Sequence, residues 1–366
     1  MAGAPGEGAI AAHVARVMES LGMEVEVVEP EPGRPSVVGW RRGSGDGRSL
    51  MLNGHLDTVG VEGMDEPFEP RVEAGRLHGR GAYDMKGSIA ACLAAVKALA
   101  DGGIELAGDL VVAAVADEEV ASLGTSAVLE VVRTDGAIVT EPTELAVCVA
   151  HKGFAWIEIE VEGRAAHGSR PDLGVDANLA MGRVLAAVGE LERELAARAP
   201  HPRVGRPSLH VGTLSGGTGW STYAARATAR VERRTIPGET TEQALSEIEV
   251  LLERLCARDG LRATARIVLA RRPFEGDPDG PLVRALDRAA AEALGREPER
   301  IGVGYWMDAA LLAAAGIETA VFGPAGAGAH AVEEWVDLES VERTAETLLR
   351  AAIGYCGGGL TAPGPA

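Results

Sequence analysis

Residues 110–119 read Leu-Val-Val-Ala-Ala-Val-Ala-Asp-Glu-Glu. The apolar run 110–116 is short and unbroken, which predicts a strand buried on both faces. It ends on three adjacent acids, which repel one another unless solvent or a cation screens them. Upstream, 86–100 carries apolar residues at helical spacing and stops before Gly102-Gly103. Residues 49–53, 137–140 and 146–150 are further short apolar runs. Strands alternating with helices predict an α/β domain with a mainly parallel sheet covered on both faces.

The texture changes near Lys152-Gly153. Residues 154–161 alternate, with Phe154, Trp156 and Glu158 on one face and Ile157, Ile159 and Val161 on the other. A long helical pattern follows at 176–197, then strands at 208–214 and 223–234, a second helix at 241–258 and a strand at 261–269. This β-α-β-β-α-β order is the split βαβ, ferredoxin-like pattern. After Arg272-Pro273 the first texture resumes, with helices at 281–294 and 337–352 and a strand at 319–322. The expected organisation is a discontinuous domain, 1–152 and 272–366, holding an inserted α+β domain, 153–271. The Gly- and Pro-rich tail 357–366 reads as frayed.

The chain has 366 residues, with 35 basic and 54 acidic side chains and a net charge of −19. Such a balance argues against nucleic acid or an anionic membrane as partner. No apolar window approaches the ~18 residues of a membrane span, and the N-terminus has no signal-peptide pattern. Cys92, Cys148, Cys256 and Cys356 are scattered and form no CxxC pair, as expected of free thiols in a reducing cytoplasm.

Five segments place acids or histidines at predicted strand ends, where open α/β sheets bind ligands. In His55-Leu56-Asp57, two residues apart on an extended backbone share a side, so the carboxylate can fix the imidazole tautomer. Asp84, in a Gly-rich turn before a helix, reads as an N-cap or a ligand. Glu118 and Glu119 end the run quoted above, as a solvated loop or a cation site. Glu141 leaves another strand, and His330 ends the flexible stretch Gly323-Pro324-Ala325-Gly326-Ala327-Gly328-Ala329.

The order His-x-Asp, Asp, Glu-Glu, Glu, His resembles the M20 family of metallopeptidases and amidohydrolases. That family includes acetylornithine deacetylase, succinyl-diaminopimelate desuccinylase and carboxypeptidases. The likeness runs roughly from Gly6 to Tyr355. It includes the lid-like stretch Gly163-Arg164-Ala165-Ala166-His167-Gly168-Ser169-Arg170-Pro171 and the stretch Glu232-Arg233-Arg234-Thr235-Ile236-Pro237-Gly238. The resemblance implies a cage for two divalent ions, Zn²⁺ with Co²⁺ or Mn²⁺ as substitutes. His55 and Glu141 would hold one ion, Glu119 and His330 the other, and Asp84 would bridge them. Asp57 would orient His55, and Glu118 would be the general base for a metal-bridging hydroxide. His167, on the inserted lid and dimerisation domain, would steady the oxyanion, in related dimers from the neighbouring subunit.

Arg234 is the candidate to grip a substrate carboxylate, or else it makes an ordinary salt bridge. Ser221 stands where relatives carry an asparagine, and it or Thr222 or Tyr223 would take over that residue's contact to substrate or oxyanion. Asp308 is expected in a supporting or capping place. Relatives have one more helix before residues 4–8, so the chain reads as starting late. The implied activity is hydrolysis of an N-acyl amino acid or small peptide by a cytoplasmic homodimer. A carboxypeptidase or dipeptidase, a di-zinc aminopeptidase and a metal-free binding protein are the competing readings.

Overall fold

The computed structural model describes residues 6–360. They fall into two compact units. The first takes the chain up to Val149, Gly276–Ile301 and the chain from Met307 on; the second takes Ala150–Glu275 and Gly302–Trp306.

The first unit is built on a mixed sheet with a parallel centre. Its strands run in the order Glu24–Val28, Ser36–Arg41, Leu110–Val115, Leu50–His55, Gly136–Val139, Glu318–Val321 and Val147–His151. Leu50–His55 lies parallel to both Leu110–Val115 and Gly136–Val139, with Leu50 level with Leu110 and Gly136. Glu318–Val321 extends the parallel set on Gly136–Val139. The outer strands pair antiparallel. Every residue of Leu50–His55 and Leu110–Val115 is buried, because helices cover both faces. Alternate residues Leu50, Leu52, Leu110, Val112 and Ala114 join one core with helices Gly8–Ser20, Gly87–Asp101, Pro281–Leu294 and Leu338–Cys356. On the opposite face, the side chain of Asn53 meets Thr125 of helix Leu123–Val131. The shared register ends the parallel strands together, so His55, Glu118 and Glu141 emerge along one edge.

The second unit is a four-stranded antiparallel sheet in the order Ser208–Gly216, Arg226–Thr235, Gly153–Glu162 and Arg262–Arg271. Helices Ala177–Ala197 and Thr241–Asp259 cover one face, meeting Ile157, Ile159 and Val161 through Met181, Val184, Ile248 and Leu252. Trp156 points the other way and is 41% exposed. Each helix has a clear start. The Asp176 carboxylate accepts the amides of Asn178 and Leu179, and Thr240 and Gln243 form a reciprocal capping box.

One expectation changes and another is narrowed. Gly358–Leu360 is not frayed: it pairs antiparallel with Ile104–Leu106, and residues 361–366 lie outside the described part. Asp308 stands at the start of helix Ala309–Ala314 but does not cap it; its carboxylate accepts the Thr125 hydroxyl instead. Among the described residues no helix is long and apolar enough to cross a membrane.

Candidate metal centre

His55 is the last residue of its strand, is 1% exposed, and turns its imidazole into the strand-end edge. Its Nδ1 lies 3.0 Å from the carbonyl oxygen of Asp57 and 3.6 Å from that residue's carboxylate. The hydrogen-bond partner of Nδ1 is thus the Asp57 carbonyl, and the carboxylate has a different task. Its two oxygens accept the amides of Glu118 and Glu119 at 3.2 and 3.1 Å. Asp57 therefore ties the His55 strand end to the acidic turn. That turn needs a left-handed residue, Asp117 at φ +67°, whose carboxylate is held by Arg34 at 2.7 Å.

Asp84 lies in a wide turn, 82–86, ahead of helix Gly87–Asp101, and makes no helix cap. Its Oδ1 is 3.0 Å from His55 Nε2, and its Oδ2 is 3.4 Å from His330 Nε2. Glu141 approaches His55 Nε2 at 3.6 Å, and Glu119 approaches His330 Nε2 at 3.0 Å. Ligand-type atoms of His55, Asp84 and Glu119 lie within 4.8 Å of one another, as do those of His55, Glu118 and Glu141. Gly323 packs against the Glu141 carbonyl, where an added Cβ would sit 2.3 Å away. His330 adopts φ +60°, a conformation a non-glycine residue seldom takes, and its side chain is 57% exposed.

The charges are unbalanced toward the negative. Burial, with repulsion from Glu141, pushes Glu118 well above the usual carboxylate range. Burial likewise raises Glu141, with Asp84 and Glu119 adding to it and His55 opposing. Asp84 moves the other way: despite burial, the imidazoles of His330 and His55 hold it far below its ordinary value. His55 rises despite complete burial, drawn up by Glu141, Asp57 and Asp84. Hydrogen bonds to Asp84 and Glu119 lift His330 to about 10. The imidazoles are thus pulled toward the cationic form by carboxylates that call for positive charge.

This donor set fits divalent cations. Oε1 of Glu119 is buried with no hydrogen-bond partner among the described residues, a costly state that a cation would relieve. Carboxylate and imidazole donors without thiolate suit hard or borderline ions.

The three remaining predicted residues belong to the second unit. The segment at His167 pairs with the segment at Ser221: the Gly168 amide donates to the Ser221 carbonyl at 2.7 Å, and His167 bridges to Thr222. His167 Nδ1 lies 2.8 Å from the Ser169 hydroxyl. Arg234 gives its Nε to Glu232 at 2.7 Å and lies over the Phe154 ring, so in this structure its guanidinium is engaged by a salt bridge. Sequence reading passed over its neighbour Arg233, which is 1% exposed and paired with Glu239 and Glu247. It also passed over Arg34, Arg80 and Glu334 beside the centre. Their only sequence signal is a charged side chain among apolar or glycine-rich neighbours.

A carboxylate-rich cluster with two imidazoles, at the strand ends of a mixed α/β sheet, has the donors of a divalent-metal site. Residues 51–353 match Peptidase family M20/M25/M40, and the chain belongs to that family. It is 33% identical to an acetylornithine deacetylase of Myxococcus xanthus, over 88% of this chain and 84% of that protein. It is 31% identical to an N-formyl-4-amino-5-aminomethyl-2-methylpyrimidine deformylase of Bacillus subtilis (strain 168), over 95% and 89%. Its fold resembles that of the Bacillus subtilis YXEP protein, a dinuclear metal-binding peptidase from the M20 family. The TM-score is 0.74 at 17% identity, covering 95% of this chain and 92% of that one. The chain is a metallohydrolase acting on amides or peptides.

Proposed function

We propose that the chain is a two-metal amidohydrolase that removes the acyl group from an N-acyl amino acid, as an acetylornithine deacetylase does, with Zn²⁺ as the resident ion. The observation that carries this reading is the division of Asp84 between two histidines, Oδ1 toward His55 and Oδ2 toward His330. In this reading His55 and Glu141 would hold one ion, Glu119 and His330 the other, and Asp84 would serve both. Divalent ions held there would supply Lewis-acid polarisation of the amide carbonyl and make an attacking water more acidic. Glu118 takes the proton of the attacking water and returns it to the leaving amine. Asp57 keeps His55 in one tautomer and holds the backbone from which Glu118 projects.

His167 is assigned as the donor to the oxyanion, from its own chain or from a partner copy. Arg234 is assigned to the substrate carboxylate, which requires it to exchange Glu232 for substrate, and Ser221 to a substrate or oxyanion contact. The small unit, expected from sequence at 153–271 within 1–152 and 272–366 and grouped by its contacts as Ala150–Glu275 with Gly302–Trp306, is read as lid and dimerisation domain. The working state is read as a cytoplasmic homodimer. The exposed edge strand Ser208–Gly216 supports the dimer.

The deciding experiment is a hydrolysis panel of acetyl-, succinyl- and formyl-amino acids and dipeptides with metal-loaded protein. Release of amino acid from an acetylated substrate is the expected result. Cleavage of dipeptides alone would move the chain to the dipeptidase reading, which uses the same centre. The 31% identity to a deformylase keeps formyl amides in the panel.

His167→Ala should lower turnover by about 10²–10³-fold, the usual loss for one oxyanion donor. If the donor comes from a partner, specific activity should also fall on dilution, in step with dissociation seen by sedimentation. Unchanged rates in His167→Ala would remove the residue from the mechanism.

A further inference from the structure

Glu334 lies four residues beyond His330, with its side chain closed to solvent. Four donors converge on its carboxylate. Oε2 accepts Arg80 Nη1 at 2.6 Å and the Gly81 amide at 3.0 Å. Oε1 accepts the amides of Tyr83 at 2.9 Å and of Asp84 itself at 3.0 Å. Arg80 carries the network further: Nη2 donates to the Ala331 carbonyl at 2.8 Å, and Nε donates to the Gly60 carbonyl at 3.2 Å. One buried ion pair therefore fastens three segments together: the loop after His55 and Asp57, the turn that presents Asp84, and the loop that presents His330.

A buried ion pair is by itself weak evidence for stability, since desolvation offsets much of the attraction. Here the bonds run to particular backbone groups. Three amides of one turn are held by a single carboxylate whose own backbone belongs to the His330 loop. The spacing between the Asp84 carboxylate and the His330 imidazole is thereby set from behind.

We propose that Glu334, acting with Arg80, is a positioning residue that holds Asp84 and His330 at their ligating separation. The proposal rests on the two-metal reading above. A glutamine at 334 keeps the shape, but its NH₂ group must face two of the four donors, so half of the cradle is lost.

Co²⁺ binding to metal-free, full-length wild type, Glu334→Gln and Leu348→Ala tests this. Calorimetry gives the affinities, visible absorption reports the coordination, and a melt of each apo-protein gives its stability. Leu348 is fully buried in the helical core and controls for general destabilisation. In Glu334→Gln the affinity for at least one ion is expected to fall about 10–100-fold, with an altered Co²⁺ spectrum. Leu348→Ala should melt earlier yet bind as wild type does.

If Glu334→Gln does not fold, Arg80→Lys carries the test. Its compact ammonium cannot serve Glu334, Ala331 and Gly60 together, and the same loss of affinity is expected. Wild-type affinity in whichever of these variants folds overturns the proposal. So does an equal loss in Leu348→Ala at a matched melting shift. Wild type that takes up no Co²⁺ overturns the two-metal reading, and this proposal with it.

Discussion

Glu118→Gln is expected to keep its metal and lose turnover by about 10³–10⁴-fold, at the upper end of what a positioned acid–base group contributes. That loss corresponds to about 4–5.5 kcal/mol on the barrier. The substitution is nearly isosteric, and the group that fixes the backbone here is not the one changed. The Glu118 amide is held by Asp57, so the turn should stay in place. What disappears is the capacity to accept a proton, which an amide lacks at any working pH. The check is single-turnover kinetics alongside metal analysis of the same sample. Turnover within tenfold of wild type would remove Glu118 as the base, and loss of metal would make it a ligand instead.

Removing the metal should abolish activity altogether. After dialysis against a chelator, reconstitution is expected to restore about two divalent ions per chain and the full rate. The position of Asp84 gives the experiment finer content. Because its two oxygens face different histidines, Asp84→Asn should weaken both ions, whereas His330→Ala should leave about one ion per chain on the His55 side. Bound metal should also raise the melting temperature, since an ion at a hundred times its Kd adds about 2.7 kcal/mol. Elemental analysis and thermal melts check these outcomes together. An Asp84→Asn protein that retains two tight ions would contradict the bridging assignment.

Much of the fold was legible because its signals are local. The unbroken run at 110–116 and the alternation at 154–161 give strands, and the helical spacing at 86–100, 176–197 and 241–258 gives helices. These elements reappear within a few residues as Leu110–Val115, Gly153–Glu162, Gly87–Asp101, Ala177–Ala197 and Thr241–Asp259. The weaker elements were missed. Strands Glu24–Val28 and Ser36–Arg41 lie toward the outer side of the sheet, and the former is only partly buried, so its apolar pattern is diluted. The small sheet joining Arg71–Glu73, Arg76–His78, Gly326–Ala327 and Trp335–Asp337 is made of pieces too short to show a period.

The sequence by itself determined the kinds of side chain at the centre, their order along the chain, and the strand ends from which several of them leave. Those properties depend on residue identity and on spacing over a few positions. Only the tertiary structure decided which atoms meet. The oxygen of Asp84 that faces each histidine and the two amides held by Asp57 depend on how distant segments are set against one another. The bond from Arg80 to Glu334 spans 254 positions. No local period encodes such a pair, because it is fixed by sheet register and by the packing of loops at the strand ends.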